Sequence, residues 1–127
     1  MGKQIYFLTA LFWTGIITFF CLVQFSAVPF RGVSNLDKLV HVFFHFVFTI
    51  LWFLYFQKQL MGRDKTRLLL FSFLFSVFFG ISIELLQKYF TTTRNGDFLD
   101  VLANSIGAIT AVLVIIIIRK YTNLFKI

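Results

Sequence analysis

Four apolar runs dominate this sequence and constrain its fold more than any other feature. They cover residues 5–24, 39–57, 68–87 and 98–118. Each run is close to the ~20 residues that a helix needs to cross ~30 Å of hydrocarbon. Because backbone polar groups in lipid must be satisfied within their own segment, helices are the regular structure that fits. The sequence therefore predicts an all-α, integral membrane four-helix bundle with antiparallel neighbours, forming one domain over residues 1–127.

The composition also favours lipid over water as the solvent. Hydrophobic residues make up 59% of the chain and charged residues 13%, whereas soluble proteins average about 45–50% and about 25%. A small soluble domain buries the smallest fraction of its surface, so this apolar area has no place in water. The net charge is +7, but the basic residues stand singly at the ends of apolar runs. That distribution is typical of topology signals, and no nucleic-acid partner is expected.

The basic residues also predict the orientation of the helices. Cytoplasmic loops of membrane proteins carry an excess of Lys and Arg. With both termini inside, four basic residues fall outside and eight fall in the cytoplasm, namely Lys3, Lys58, Arg63, Lys65, Arg67, Arg119, Lys120 and Lys126. We therefore expect a multi-pass protein of the cytoplasmic membrane with both the N-terminus and the C-terminus inside.

This orientation gathers polar residues at the outer membrane face. Four of the five acidic residues map to the outer ends of the second, third and fourth helices. The predicted binding residues are Asp37, Lys38, His41, Glu84, Gln87, Arg94, Asp97, Asp100 and Asn104. Charged groups next to hydrocarbon are costly and mark functional sites by default. We therefore expect a polar pocket that opens at the outer face of the bundle.

The second helix begins with a stripe of ionisable residues. Asp37, His41 and His45 follow one another at i, i+4 and i+8, so they share one face of the helix. An aspartate one turn from a histidine can fix its tautomer or raise its pKa. The same residue types ligate divalent metals. The alternative is an acidic helix start followed by a histidine that packs against a neighbouring helix, and we favour packing for His45.

The third helix ends with Glu84 and Gln87 on one face, and Gly80 lies one turn before them. A glycine there allows another helix to approach closely. A carboxylate just inside the membrane boundary has to pair, take up a proton or coordinate a cation. Glu84 is therefore a candidate site residue, with a structural pair to Arg94 or His41 as the alternative.

The loop after the third helix and the start of the fourth complete the polar set. The guanidinium of Arg94 suits a phosphate or a carboxylate. Asp97 either caps the fourth helix or belongs to the site. Asp100 and Asn104, at i and i+4, share one helix face. A buried asparagine requires hydrogen-bond partners, so Asn104 predicts a polar network.

Other features are interpreted as packing. Ala103, Gly107 and Ala111 form a small-xxx-small pattern on the fourth helix, which is typical of a face where another helix packs. Thr14 on the first helix is expected to support packing, and Trp52 is expected to fill space between helices.

The ordered polar motifs resemble the VanZ-like family of small bacterial membrane proteins. The resemblance rests on DKLVHVFFHF, ELLQKYF and RNGDFLDVLANSIGA. Its matched positions are Asp37, Lys38, His41, Glu84, Gln87, Arg94, Asp97, Asp100, Asn104 and Gly107. It implies a location in the bacterial cytoplasmic membrane and a link to resistance against glycopeptide antibiotics of the teicoplanin type. It implies no particular mechanism.

Three functions fit this sequence. The first is binding or modification of an amphiphilic ligand at the outer leaflet, such as a membrane lipid, a lipid-linked wall precursor or a lipoglycopeptide. The second is an enzyme acting on a lipid phosphate, with Asp37, His41, Glu84 and Asp100 as acid–base groups or divalent-metal ligands and Arg94 clamping the phosphate. The third is a small ion-coupled exporter, which requires an ionisable residue near the membrane midplane.

Overall fold

The computed structural model describes residues 2–22, 34–60, 64–90 and 98–122, and the side chains of residues 4–21, 38–60, 64–89 and 99–121 within them. Four α-helices make up these segments: α1 (Gly2–Leu22), α2 (Ser34–Gln59), α3 (Lys65–Phe90) and α4 (Phe98–Thr122). Each contains a stretch long and apolar enough to cross a membrane. The predicted all-helical architecture with four spanning helices is therefore confirmed.

The helices extend beyond the apolar runs because polar residues form their first and last turns. At the start of α3, Asp64 Oδ1 accepts a hydrogen bond from the Thr66 amide at 3.2 Å. Its carbonyl accepts one from the Leu68 amide at 3.1 Å. This is the geometry of an aspartate cap, which satisfies amides that the helix itself leaves unbonded. The helix therefore begins before its apolar stretch.

Helix α2 lies at the centre of the bundle and contacts the other three helices. It runs parallel to α4, since Lys38 pairs with Asp100 and the later His41 pairs with the later Asn104, so the contacts follow the same order along both helices. It runs antiparallel to α1 and α3. The starts of α2 and α4 therefore meet the ends of α1 and α3, and we call this the polar end. The opposite end, where α3 begins and α4 ends, is the basic end.

Close packing of α4 on α2 depends on small residues. Ala103, Gly107 and Ala111 are all buried. A Cβ atom at Gly107 would clash with the backbone carbonyl of Val42 and lie 3.1 Å from the amide nitrogen of Phe46. The missing side chain lets the two backbones approach, as at other membrane helix interfaces. This contact sets the distance between the polar residues one turn away on each helix.

Aromatic side chains fill the space between α1, α2 and α3. Phe48 stacks on Phe79 with ring centroids 4.8 Å apart, and Trp52 meets Phe75 edge-on at 5.2 Å. The indole of Trp52 also donates a hydrogen bond to the Thr14 hydroxyl at 3.0 Å. The interpretation of Trp52 as filler was therefore incomplete, because it also links α2 to α1 through a polar contact.

Candidate functional site

Six polar side chains from three helices lie together at the polar end, and we call them the polar cluster. Five of them are buried, and the lysine is half-buried. The cluster consists of Lys38, His41, Glu84, Gln87, Asp100 and Asn104. Helix α2 supplies two members at i and i+3, α3 supplies two at i and i+3, and α4 supplies two at i and i+4. Each pair therefore projects from one helix face toward the bundle interior.

An ion pair joins the first turns of α2 and α4. The ammonium of Lys38 donates to Asp100 Oδ1 at 2.6 Å, and the two side chains are 25% and 8% exposed. The short distance marks a charge-assisted hydrogen bond. Asp100 also lies in the first turn of α4, where the helix dipole favours a negative charge. Its second oxygen remains directed toward the imidazole of His41.

The imidazole of His41 lies between two residues of α4. Its Nδ1 is 3.0 Å from Asn104 Oδ1, and its Nε2 is 3.6 Å from Asp100 Oδ2. Because an amide oxygen only accepts hydrogen bonds, Nδ1 carries the proton that is donated to Asn104. Nε2, on the other side of the ring, faces the carboxylate of Asp100. Asn104 therefore orients the ring and selects its tautomer.

Glu84 of α3 completes a group of potential cation ligands. One nitrogen of His41 and one carboxylate oxygen each from Glu84 and Asp100 all lie within 4.8 Å of one another, and all three residues are buried. Metal–ligand bonds of about 2.0–2.6 Å place the ligands of one ion at most about 5 Å apart. The three side chains therefore have the chemistry and spacing of a divalent-cation site.

Gly80 makes room for the cluster one turn from Glu84 on α3. A Cβ atom at Gly80 would lie 2.8 Å from Asn104 Nδ2 and 3.2 Å from His45 Cε1. The glycine thus accommodates side chains of α4 and α2. Among the residues that the structure describes, none accepts a hydrogen bond from Asn104 Nδ2. This buried amide group therefore lacks an acceptor within the described part of the chain.

Helix α1 joins the cluster through a contact that sequence reasoning missed. Gln87 Nε2 donates to the backbone carbonyl of Cys21 at 2.6 Å. Because α1 ends at Leu22, this carbonyl belongs to the last turn, where the helix supplies no amide partner. Gln87 therefore caps α1 as well as facing the cluster. The sequence of α1 could not have predicted this hydrogen bond, because the acceptor is a backbone carbonyl and not a side chain.

His45 lies one turn deeper than His41 and has a different partner. It is 1% exposed, and its Nδ1 is 3.0 Å from the Ser76 hydroxyl of α3. Sequence analysis did not identify Ser76. The spacing of Ser72, Ser76 and Gly80 at i, i+4 and i+8 was the available signal, because small residues in register mark a helix-facing stripe. The His45–Ser76 pair links α2 to α3 and accounts for the buried imidazole.

Three predicted site residues cannot be placed in the cluster. Arg94 and Asp97 lie outside the described residues, between α3 and α4. Asp37 belongs to α2, but its side chain lies outside the described part of the chain. Their membership in the site stays a prediction, as does the pairing of Arg94 with Glu84.

Comparisons with known proteins give one match that spans nearly the whole chain. The family model described as VanZ/LLP1 matches residues 5–119. This segment covers nearly all of the four spanning helices and every residue of the polar cluster. No curated protein and no solved structure matches the chain.

Proposed function

The chain belongs to the VanZ/LLP1 family, and on that premise we propose that it binds or modifies an amphiphilic ligand of the bacterial cell envelope. The ligand's charged headgroup would contact the polar cluster while its hydrocarbon stays in the bilayer. Membrane lipids, lipid-linked wall precursors and lipoglycopeptides share this chemistry. The observation that carries the proposal is the burial of Glu84 and Asp100 beside the half-buried Lys38 among membrane-spanning helices.

The energetic cost of the cluster supports a role beyond packing. A charged residue costs about 2.5–3.5 kcal/mol on insertion scales at the centre of a spanning helix, which is an upper bound for residues near the starts of α2 and α4. Replacing a buried ion pair with apolar side chains is often neutral or stabilising. The Lys38–Asp100 pair, at 2.6 Å, is therefore not an efficient way to hold α2 against α4. Binding of a ligand by these charged groups would account for their presence.

The donors and the positive charge of the cluster match a headgroup that carries anionic oxygens. Asn104 Nδ2 lacks an acceptor among the described residues, and the half-buried ammonium of Lys38 brings a positive charge to the same cluster. A phosphate or carboxylate can accept from both. The carboxylates of Glu84 and Asp100 in turn suit hydroxyl or ammonium groups of the same ligand.

We further propose that the polar end faces outward, with both termini in the cytoplasm. The excess of basic residues at the basic end supports this orientation through the positive-inside rule. A C-terminal fusion to a fluorescent protein that matures only in the cytoplasm should then be fluorescent. A C-terminal fusion to a phosphatase that is active only on the outer side of the membrane should be inactive. The reverse pair of results would place the cluster at the inner leaflet and exclude an outer-leaflet ligand.

A second candidate function is a metal-assisted reaction on a lipid phosphate. The spacing of His41, Glu84 and Asp100, within 4.8 Å of one another, favours it. Metal-ligating histidines usually donate their other ring N–H to an oxygen that fixes the ring, and Asn104 Oδ1 is placed to accept from His41 in this way. A bound divalent ion would polarise the phosphate and neutralise developing charge.

A pair of histidine variants tests the metal proposal. The full-length protein is purified in detergent with Zn²⁺ or Mn²⁺, desalted, and measured for bound metal by elemental mass spectrometry. His41→Ala should lower the bound metal by at least about tenfold, as expected when a ligand is lost. His45→Ala, which removes the histidine bonded to Ser76, is the matched control and should retain it. Equal metal content in both variants would exclude the site.

Envelope lipid analysis tests the main proposal. Bacterial cells that produce the full-length protein are compared with cells that produce Glu84→Gln or the control Ser82→Ala. Ser82 lies on the same helix, and its hydroxyl bonds the Phe78 carbonyl. Survival in teicoplanin and the envelope lipid profile are measured. We expect protection by the parent and by Ser82→Ala, and none by Glu84→Gln at equal membrane abundance.

The lipid profile then separates binding from catalysis. A lipid species that appears with the parent and disappears with Glu84→Gln identifies an enzyme. Protection without a new species, together with a lipid or precursor that copurifies with the parent alone, identifies a binding protein. If Glu84→Gln protects as well as the parent and leaves the same lipids, the polar cluster is not the functional site.

A further inference from the structure

A groove between α3 and α4 opens at the basic end, opposite the polar cluster. Its volume is about 480 Å³, within the ~300–1,000 Å³ typical of small-molecule sites. Apolar side chains form its walls, among them Leu70 and Phe73 of α3 and Val112 and Leu113 of α4. Because it lies between two membrane-spanning helices, the groove faces the hydrocarbon region of the bilayer.

The groove has the depth of one membrane leaflet. Its lining extends from Thr66 to Phe73 on α3 and from Ile109 to Arg119 on α4. At 1.5 Å per helical residue these stretches measure about 10 Å and about 15 Å. Half of the ~30 Å hydrocarbon core is ~15 Å. A single acyl chain can therefore follow the groove from the membrane boundary toward the midplane.

Positive charge and hydrogen-bond donors stand at the boundary end of the groove. Arg119 is half-buried and lines the groove together with the hydroxyl-bearing Thr66. Lys65, next to Thr66 at the start of α3, adds a second positive charge beside the groove but does not line it. Arg119 forms no ion pair among the described residues, and Asp64, whose carboxylate accepts from the Thr66 amide, does not line the groove. The boundary end of the groove is therefore complementary to an anion. The fork of N–H donors on arginine suits phosphate in particular.

We propose that this groove binds an anionic membrane phospholipid, with one acyl chain between α3 and α4 and its phosphate against Arg119 and Thr66. The site is separate from the polar cluster and does not depend on the function proposed for it. Basic residues at a membrane surface each contribute about 1 kcal/mol to attraction for anionic lipid. The apolar walls supply contact with the chain, and Arg119 supplies headgroup selectivity.

Native mass spectrometry of the full-length protein tests the selectivity. The protein is released from micelles containing equal amounts of phosphatidylglycerol and phosphatidylcholine with identical acyl chains. Phosphatidylglycerol should be retained preferentially, and Arg119→Gln should lower that preference about fivefold, which corresponds to ~1 kcal/mol. The control is Lys58→Gln. Lys58 also lies at the basic end, but it stands over the Tyr6 ring at 5.9 Å and does not line the groove, so the preference should persist.

A second variant tests the apolar part of the site. Val112→Phe should fill the groove and lower retention of both lipids. Ile117→Phe adds the same ring to an exposed position of α4 outside the groove, and it should leave retention unchanged. Equal binding of the two lipids by the parent, or equal effects of Arg119→Gln and Lys58→Gln, would overturn the proposal. So would a parent dimer that Val112→Phe separates, because the groove would then be a helix–helix interface.

Discussion

At the polar end, carboxylates turn into the bundle, whereas the described carboxylate at the basic end stays in contact with solvent. Glu84 and Asp100 are 6% and 5% exposed, and Asp100 has a lysine at 2.6 Å. Asp64 at the basic end is exposed and caps α3 through the Thr66 amide. The same residue type therefore serves as a local helix cap at one end and as part of an interhelical network at the other.

The difference shows how position in the membrane decides what a charge contributes. An exposed ion pair contributes about 0–1 kcal/mol because water competes for both partners. A buried charge, by contrast, leaves a large desolvation cost when its partner is removed. Charged residues at the polar end should therefore depend strongly on individual partners, and those at the basic end should tolerate substitution.

The largest effect is expected from removing the charge at Asp100. Asp100→Asn keeps the shape of the side chain but removes the negative charge that pairs with the half-buried Lys38 at 2.6 Å. Loss of one partner of a buried pair costs about 3–5 kcal/mol. Because Lys38 is 25% exposed, we expect the lower bound, about 3 kcal/mol. The measurement is the free energy of unfolding in detergent micelles by denaturant titration.

Asp64→Asn is the matched control at the basic end. Asparagine caps helices about as well as aspartate, so the free energy of unfolding should change by less than about 0.5 kcal/mol. Adding Lys38→Met to Asp100→Asn should recover part of the loss, since the lysine that lost its bond to Asp100 is then replaced by an apolar side chain. If Asp100→Asn and Asp64→Asn lower the free energy of unfolding by similar amounts, burial does not make the charges at the polar end more dependent on their partners.

The next effect concerns the contact that brings the polar residues of α2 and α4 together. Gly107→Ala places a Cβ atom against the Val42 carbonyl, and overpacking of this kind costs about 1–3 kcal/mol. The helices must separate, so the Lys38–Asp100 pair should also lengthen. We expect a loss of about 2 kcal/mol in the free energy of unfolding in micelles.

Gly15→Ala on α1 gives the opposite sign. Beyond its own helix, no atom of the described residues lies within 4 Å of a Cβ built at Gly15, and replacing a helical glycine with alanine stabilises a helix by about 0.5–1 kcal/mol. The same titration compares the two variants. A Gly107→Ala variant as stable as Gly15→Ala would mean that α4 does not rely on this close approach.

The architecture was predictable because lipid leaves few choices. An apolar run of sufficient length becomes a helix in a membrane, and the sequence marks four of them. Helix ends were less predictable, because α3 begins at Lys65 in a polar turn capped by Asp64. Hydrophobicity shows where a helix crosses the bilayer, whereas capping side chains decide where it begins.

The members of the polar cluster were predictable, but most of their pairings were not. Rarity of charge in lipid is enough to single out Glu84 and Asp100. The pairing of Lys38 with Asp100 depends on the register of two parallel helices that are far apart in the chain. The acceptor of the Gln87 hydrogen bond is the backbone carbonyl of Cys21. Every residue has a backbone carbonyl, so the sequence does not show which one is bonded. Tertiary geometry is needed for both.

The smallest predicted effect compares two buried glutamines, one at each end of the bundle. Gln87 is 1% exposed and Gln57 is 6% exposed. No described residue donates to the side-chain oxygen of either glutamine, but Gln87 Nε2 donates to the Cys21 carbonyl at 2.6 Å. Side-chain hydrogen bonds between membrane helices contribute about 0.6–2 kcal/mol. Gln87→Leu should therefore lower the free energy of unfolding by about 1 kcal/mol.

Gln57→Leu removes a buried carbonyl oxygen that lacks a described donor, and burying such a group is itself costly. The free energy of unfolding should stay within about 0.5 kcal/mol of the parent or rise. Both variants exchange the same side chains at similar burial, so the difference between them isolates the partner at the polar end. Because Gln87 also caps α1, its loss should expose Cys21 to thiol-reactive probes, whereas Gln57→Leu should leave labelling unchanged. Equal stability and equal labelling of both variants would show that α1 is held by its other contacts, such as the Trp52–Thr14 hydrogen bond, without the bond from Gln87.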